Sequence, residues 1–295
     1  MADYSLLVFA ALLDATKSCL SRKLGRYADH LRVALLLNWV RAVLCTFLGF
    51  VLCVLTDKRI IAPRMHDVAL IVLSGLATAV FMVSWLLSMK ESTFVMLTVI
   101  SAASCIVPVL LSSVMLGERI RIQHCFGILI LTFSSYLLSN HNRALKGKLT
   151  LRGVLLLVTV FISEGLQSFF QKLYMFTVPS ADPLVYNTWS FFMVAIIIPL
   201  SVIILRKGKT DITAKELVKK NMGIIIIMSF CMFGVFFLRT VIAQSIPAAV
   251  QYPMSNGIVI LVNSLFSTVL LKERQTARGI IGVVTAITAI AIISQ

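Results

Sequence analysis

Charged residues are scarce in this chain of 295 residues: Asp, Glu, Lys and Arg together make up 13% of it, and only 12 residues are acidic. A soluble domain has about 25% charged residues, so a soluble globular protein is excluded. Apolar residues account for 59% of the chain, and the mean hydropathy is +0.97. Since one membrane-spanning helix takes about 20 apolar residues, ten of them would leave no room for a soluble catalytic domain.

Motifs for nucleotides, metals and redox chemistry are also missing from the sequence. The chain contains neither G-x-x-x-x-G-K-[ST] nor G-x-G-x-x-G, which would hold phosphates. Its six cysteines form no C-x-x-C pair, and its four histidines have no H-x-x-x-H or H-E-x-x-H spacing. The sequence therefore predicts no cofactor and no metal, and nothing in it indicates an enzyme.

What the sequence has in excess is positive charge, with a formal net charge of +15. In a soluble protein this excess would suggest binding to nucleic-acid phosphates. Here most lysines and arginines lie in short loops between apolar runs, as the positive-inside rule describes for membrane proteins. The sequence therefore predicts the lipid bilayer as a partner and does not predict nucleic acid as one.

Apolar runs bounded by charged or turn-forming residues predict ten helices across a membrane. The first run is too long, and too polar in its middle, for a cleaved signal peptide, so we expect it to be a permanent span. The longest connection, Arg206–Asn221, contains TAKELVKK and is predicted to form a surface helical turn. The predicted helices are Ser5–Leu24, Val33–Leu55, Val68–Met89, Phe94–Leu116, Ile122–Ser139, Leu151–Phe176, Pro183–Leu205, Met222–Gln244, Pro247–Leu271 and Gly279–Ser294.

The two halves of the chain repeat each other. A shift of 155 residues aligns LGER at 116–119 with LKER at 271–274, and a shift of 149 residues aligns Asn38 with Asn187. Because five helices is an odd number, the second copy must cross the membrane in the opposite direction. We therefore predict an all-α integral membrane protein of ten transmembrane helices in two inverted five-helix repeats, 1–139 and 151–295, joined by a loop at 140–150.

The segment 73–139 resembles the core of an EamA-type domain of the drug/metabolite transporter superfamily. It has a glycine in the third helix, Pro108 late in the fourth, the LGER turn, and Gly127 early in the fifth. The second half is similar in KERQTARGIIG, but Lys272 and Asn263 stand where the family often has glycine and proline. The resemblance implies that helices one to four and six to nine line a central cavity.

Helices five and ten would then lie at the periphery of the bundle. Small residues of helix ten would suit close packing there or a homodimer contact. These residues are Gly282, Thr285, Ala286 and Ala289.

Polar residues in the middle of predicted helices are the candidates for a binding or coupling site, because an unpaired charge is costly inside a bilayer. Asp14 and Lys17 are three residues apart and share a helix face, where they could pair. Glu164 begins a polar stripe on helix six. The predicted substrate-binding and coupling residues are Asp14, Lys17, Asn38, Arg41, Glu164, Gln167, Arg239, Gln251, Tyr252 and Asn256.

Some of these residues have an alternative interpretation. Arg41 and Arg239 lie near helix ends, from which a long side chain can snorkel to the lipid headgroups. The polar residues of helices four and nine can equally serve interhelical packing, since small polar side chains commonly bond between membrane helices.

The predicted function is secondary, non-ATP transport of small polar metabolites by alternating access, with an amino acid or related metabolite as the first candidate. Mixed charge around the cavity favours a zwitterion or an organic anion over a lipophilic cation. Transport would follow a solute gradient, exchange two solutes, or couple to protons carried by Asp14 or Glu164. The alternatives are a nucleotide-sugar or sugar-phosphate exchanger of the same superfamily and a membrane scaffold or receptor.

The sequence leaves the orientation of the chain open. Most loop lysines and arginines follow helices one, three, five, seven and nine, which would place both termini outside the cell. The resembled family usually has both termini in the cytoplasm. Short loops, and the lack of an N-x-[ST] acceptor, favour a multi-pass protein of a bacterial or archaeal plasma membrane over that of a eukaryotic organelle.

Overall fold

The structure is a computed structural model that describes residues 2–25, 31–56, 65–91, 94–139, 150–178, 181–204, 212–270 and 277–293. These residues form helices joined by short connections, and none of them lies in a strand. The helices are α1 Ala2–Gly25, α2 Leu31–Leu55, α3 Met65–Glu91, α4 Phe94–Ala103, α5 Ile106–Leu116, α6 Ile122–Ser139, α7 Leu151–Thr177, α8 Pro183–Ile204, α9 Ile212–Lys220, α10 Met222–Ile242, α11 Ala248–Leu270 and α12 Ala277–Ile293.

Helices occupy all ten predicted segments. Predicted helices one to three are α1 to α3, five to seven are α6 to α8, and eight to ten are α10 to α12, while α9 lies in the long polar connection. Seven apolar stretches, within α1, α2, α3, α4 with α5, α7, α8 and α10, are long enough to cross a membrane, and those of α6 and α12 are shorter. The chain is therefore a multi-pass membrane protein, and the count of ten spans stays a prediction.

The predicted fourth helix, Phe94–Leu116, was wrong as one continuous element, because the structure breaks it at Ser104 and Cys105. Pro108 explains the break: it has no N–H for the Ser104 carbonyl, and its ring crowds the preceding turn. The Val107 N–H donates to that carbonyl instead, at 3.1 Å. The break frees backbone carbonyls in the middle of the bundle, where a partner must satisfy them.

The exterior of the bundle is apolar, and much of its interior is polar. Large apolar side chains such as Phe47, Val114 and Leu129 are exposed, whereas Asn38 and Thr240 are fully buried. This arrangement suits a protein whose solvent is lipid, since apolar side chains gain nothing by avoiding hydrocarbon tails. The polar interior is therefore where a functional site is to be found.

Helix packing follows the sequence repeat. The first half packs on the second in matched pairs: α3 on α7 corresponds to α1 on α10, and α3 on α8 corresponds to α10 on α2. Two further pairs, α2 with α8 and α6 with α12, join equivalent helices of the two halves. Asn38 and Asn187, aligned in the sequence, both donate to the next helix, to the Met82 carbonyl at 2.8 Å and to Thr240 Oγ1 at 2.8 Å. Each half therefore uses the other as its main packing partner.

The small residues of α12 pack inside the chain. Ala286 and Ala289 are fully buried, and Ser134 of α6 donates to the Gly282 carbonyl at 2.6 Å. They serve the contact between α6 and α12 and do not form a free surface, so a homodimer contact would have to use other residues. Ile280, Ile281, Val284 and Ile287 are the exposed large apolar residues described in this helix.

Candidate functional site

A cavity of about 700 Å³, part of it open to solvent, lies among α1, α2, α3, α4, α7, α10 and α11. Its wall combines charged and polar side chains with an apolar surface. The charged residues are Asp14, Lys17, Arg41 and Glu164, the polar ones include Ser18, Ser21, Ser101, Asn256 and Asn263, and the apolar ones include Phe81, Trp85, Val259 and Ile260.

The cavity is off-centre along the bundle. Its residues on α1 start at Asp14 and continue to Ser21, near the C-terminal end of that helix, and those on α11 run from Asn256 to Asn263. The cavity therefore extends from the middle of the bundle toward the end at which α1, α3 and α11 finish. The opposite half, where α11 begins and α10 finishes, contributes none of its described wall residues.

Asp14 is the centre of an ion cluster that joins three helices. Its Oδ1 lies 2.5 Å from Lys17 Nζ, and its Oδ2 accepts a hydrogen bond from Arg239 Nη2 at 2.8 Å. Arg239 Nη2 also donates to Ser255 Oγ at 3.0 Å, and Gln251 Nε2 donates to the Arg239 carbonyl at 2.8 Å. Arg239 is therefore held inside the bundle by Asp14, and the snorkelling alternative is wrong for it.

Glu164 has one satisfied oxygen and one unsatisfied oxygen. Ser101 Oγ donates to its Oε1 at 2.9 Å, whereas its Oε2 is buried without a hydrogen-bond partner among the described residues. Asn256 Nδ2 donates to two carbonyls beside the helix break, those of Ser101 and Ala102, each at 3.3 Å. The carboxylate of this cavity-lining residue thus has one oxygen with free lone pairs.

Arg41 is a buried cation, only 4% exposed. Its Nη1 donates to Asn38 Oδ1 at 3.0 Å and its Nη2 to the Met232 sulfur at 3.0 Å, while its Nε has no partner among the described residues. No described carboxylate lies within ion-pair distance of it. Snorkelling is excluded here too, and the guanidinium keeps donor capacity for an anion at the cavity wall.

Five of the ten predicted site residues line the cavity, and the other five lie elsewhere in the bundle. Asp14, Lys17, Arg41, Glu164 and Asn256 line the cavity, while Asn38 and Arg239 support them from behind. Three lie deeper in the opposite half: Tyr252 donates to the Ser168 carbonyl at 2.7 Å, and Gln251 and Gln167 are buried. Trp85 and Phe81 line the wall, although sequence reasoning assigned them no role.

Sequence reasoning also missed an ion pair in the half opposite the cavity. Lys172 of α7 is fully buried, and its Nζ lies 2.8 Å from Oε1 of Glu118, the glutamate of the LGER turn. The same Nζ donates to the carbonyls of Ala243 and Ile246, at 3.3 and 2.7 Å, and Glu118 Oε2 accepts the Ala248 N–H at 2.8 Å. The pair therefore joins the end of α5, the C-terminal part of α7, and the turn from α10 to α11.

Gly117 directs Glu118 into this position. It ends α5 in the left-handed region, with φ +70°, and its N–H donates to the Ser112 carbonyl. Glycine adopts this conformation without the steric cost that a Cβ imposes. The glycine and the glutamate of the LGER turn thus have separate roles: one turns the chain, and the other binds across the bundle.

Gly165 sets the distance between α7 and α5 beside Glu164. A Cβ at this position would collide with the Val107 side chain. We expect Gly165→Ala to force the helices apart at a cost of about 1–3 kcal/mol, as overpacking does, and to lower the melting temperature in detergent. Gly223→Ala is the matched control, because a Cβ on Gly223 meets nothing within 4 Å. Equal melting temperatures for the two variants would contradict this close packing.

Comparison with known proteins agrees with the fold. The family model for the EamA-like transporter family matches residues 2–140 and 151–295, one copy for each half. The chain belongs to the EamA-like transporter family. It is therefore a membrane transporter of the drug/metabolite transporter superfamily, as its sequence predicted, and this family consists of transporters and not of enzymes.

The EamA-like chain also matches solved structures. One match is the crystal structure of another protein, which superposes with a TM-score of 0.73 at 13% sequence identity. The superposition covers 97% of this chain and 94% of the other. At that identity the match shows the fold alone. No curated protein matches the sequence. The substrate of this EamA-like transporter must therefore be argued from its own cavity.

Proposed function

We propose that this protein transports small zwitterionic metabolites, with amino acids as the first candidates, by alternating access to the central cavity. The observation that carries the proposal is the charge balance of the wall, which presents two carboxylates, Asp14 and Glu164, and two cations, Lys17 and Arg41. A solute with one positive and one negative group matches such a wall without leaving a charge uncompensated.

Two of the four charges are available to a solute. Asp14 already pairs with Lys17 and Arg239, in a cluster of one negative and two positive charges, whereas Arg41 and Glu164 have no counterion among the described residues. A guanidinium binds a carboxylate through two parallel hydrogen bonds, so Arg41 is the proposed contact for the solute carboxylate. Glu164 Oε2 is the proposed contact for its ammonium group.

The nucleotide-sugar or sugar-phosphate alternative fits the cavity less well. Phosphate recognition relies on several convergent cations. The candidate cations are Lys17, Arg41 and Arg239, and two of them, Lys17 and Arg239, already bind Asp14. A scaffold or receptor role would be favoured by polar residues packed together without a cavity. The presence of the cavity favours transport instead.

Glu164 is also the proposed site of proton coupling, if protons drive transport. Asp14 is held by two cations, so a proton there would compete with two ion pairs, whereas Glu164 has only the Ser101 hydroxyl. A solute ammonium and a proton would compete for the same Glu164 oxygen. Such competition at one carboxylate is sufficient to exchange one for the other across a membrane.

The test is thermal stabilisation of the purified protein by panels of amino acids, nucleotide sugars and organic phosphates. A ligand at 100 times its Kd stabilises the folded state by about 2.7 kcal/mol. We expect neutral amino acids to raise the melting temperature, Glu164→Gln to abolish this shift, and Glu216→Gln, at an exposed carboxylate of α9, to retain it. A shift with sugar nucleotides or phosphates alone would replace the proposal with its alternative.

Transport itself is tested with proteoliposomes and the amino acid that gives the largest shift. We expect counterflow exchange in the native protein and, where a pH gradient is imposed, accumulation that Glu164→Gln abolishes. Absence of counterflow for every stabilising amino acid would reject amino-acid transport. Accumulation that is equal with and without the pH gradient would reject proton coupling alone.

The direction of access depends on the orientation of the chain, which stays a proposal. The cavity extends toward the end of the bundle whose loops carry most of the lysines and arginines. The positive-inside rule would place that end in the cytoplasm. An exporter of cellular metabolites requires this orientation in order to bind its solute from the cytoplasm. The usual orientation of the family places the same end outside the cell. A plasma-membrane location is proposed because the loops are short and the sequence has no N-x-[ST] acceptor.

A further inference from the structure

The half of the bundle opposite the cavity is closed, but it is not a dry apolar core. Three buried amide oxygens there have no hydrogen-bond partner among the described residues: Gln167 Oε1, Asn187 Oδ1 and Gln251 Oε1. A buried acceptor without a partner costs about 1–3 kcal/mol, and native cores contain few of them. All three lie in this half, whose interior is therefore polar.

The face of α7 connects the cavity to the far end of this closed half. Glu164, Ser168 and Lys172 follow one another at intervals of four residues and therefore share one helix face. Glu164 lines the cavity, the Ser168 carbonyl binds Tyr252, and Lys172 binds Glu118. At a rise of 1.5 Å per residue, Lys172 lies about 12 Å beyond Glu164 along the helix.

We propose that Glu118 and Lys172, here called the latch, hold the solute path shut at the end opposite the cavity, and that the latch must open for the site to reach that side. This inference rests on the proposed function, because it assigns the gate of the same site. Glu118 belongs to the first half, and its two partners, Lys172 and the Ala248 N–H, belong to the second. Any movement of one half against the other at this end must separate them.

The latch also acts on the ends of two helices. Its carboxylate meets the N-terminus of α11 through the Ala248 N–H, and its ammonium meets the carbonyls that follow α10. Both charges have the sign that a helix dipole favours at that terminus. The closed arrangement is thus stabilised by charge at four points, and two of them, the ion pair with Lys172 and the hydrogen bond from the Ala248 N–H, are lost together when Glu118 leaves.

A purely structural role would make the pair a cap for α10 and α11 and nothing more. In that case Glu118→Gln would lower the melting temperature without changing access to the interior. The latch predicts a change in access from one side of the membrane, so the two roles are separated by a sided labelling experiment. Ser168, 6% exposed and midway between the latch and Glu164, is the reporter position.

The experiment uses Ser168→Cys in a background in which the six native cysteines are replaced by alanine. The protein is reconstituted in sealed vesicles, and a membrane-impermeant thiol reagent is added on the side where a C-terminal tag is accessible. We expect Glu118→Gln to raise the labelling rate of the introduced thiol at least tenfold. Glu118→Asp, which keeps the charge on a shorter side chain, should have a smaller effect, and Glu216→Gln none.

Failure of the latch is distinguishable from failure of the proposed function. An unchanged labelling rate in Glu118→Gln, with folding verified by gel filtration and counterflow intact, overturns the latch and leaves the transport proposal standing. Faster labelling without amino-acid counterflow in the native protein supports the latch and rejects the proposed substrate. If Glu118→Gln does not fold, Lys172→Arg and Glu118→Asp decide the question by the same labelling rate.

Discussion

Replacement of Arg41 by methionine is expected to reduce amino-acid transport at least tenfold while leaving the melting temperature of the protein unchanged or higher. The guanidinium is buried beside an amide oxygen and a thioether sulfur, and no described carboxylate compensates its charge. An apolar side chain of similar volume at a buried charged position is often neutral or stabilising. The partner left behind is Asn38 Oδ1, whose lost hydrogen bond costs about 1 kcal/mol.

Transport should fall because Arg41 is the proposed contact for the solute carboxylate. A tenfold loss corresponds to about 1.4 kcal/mol, which is close to the lower end for a hydrogen bond to a charged group. Arg41→Lys keeps the charge but not the planar fork of donors, so an intermediate rate is expected. Both rates are measured as counterflow per folded protein in vesicles.

Arg119→Met is the matched control, since Arg119 is exposed at the end of the bundle. It removes the same charge from the same chain and should leave both quantities unchanged. A large fall in melting temperature for Arg41→Met, with transport reduced only in proportion to the folded fraction, would show that Arg41 stabilises the bundle and does not bind the solute.

Neutralising Asp14 should have the opposite effect on stability. Asp14→Asn leaves Lys17 and Arg239 without the carboxylate that both of them bind, and Arg239 is only 9% exposed. Removing one partner of a buried ion pair costs about 3–5 kcal/mol, so we expect the melting temperature to fall by roughly 5–15 °C. Differential scanning fluorimetry in detergent measures it.

A double-mutant cycle identifies the cause of this loss. Arg239→Gln alone should cost less than Asp14→Asn, because Asp14 keeps Lys17 as its partner. The double variant should be less destabilised than the sum of the single variants, since neither charge is then left alone. Strict additivity would mean that the 2.8 Å contact between Asp14 and Arg239 contributes nothing to stability.

The sequence predicted those parts of the fold that depend on local composition. Apolar runs located the helical segments other than α9, because a span in lipid must be apolar along its whole length. The repeat predicted which helices are equivalent, and Asn38 and Asn187 do make equivalent contacts. The mid-helix charges Asp14 and Glu164 both reach the cavity wall, since a charge has few other stable positions inside a bilayer.

Contacts between distant parts of the chain were beyond such reasoning. The break in the predicted fourth helix required knowing that Pro108 interrupts the backbone there and does not merely kink it. The latch joins residues 54 positions apart in different halves, and Lys172 had no sequence signal beyond its place in the repeat. Glu118 did carry a signal, the LGER turn, but the turn identifies a family and not a partner.

The pairing of Asp14 has a consequence for the synthesis of the protein and its insertion into the membrane. Asp14 and Arg239 are 225 residues apart, so at about 5–20 residues per second the ribosome adds the second residue roughly 10–50 s after the first. During that interval the first helix must already enter the bilayer with its carboxylate. Lys17, one turn away in the same helix, can neutralise it at once. The local pair thus compensates the charge of Asp14 until the second half of the chain has been synthesised.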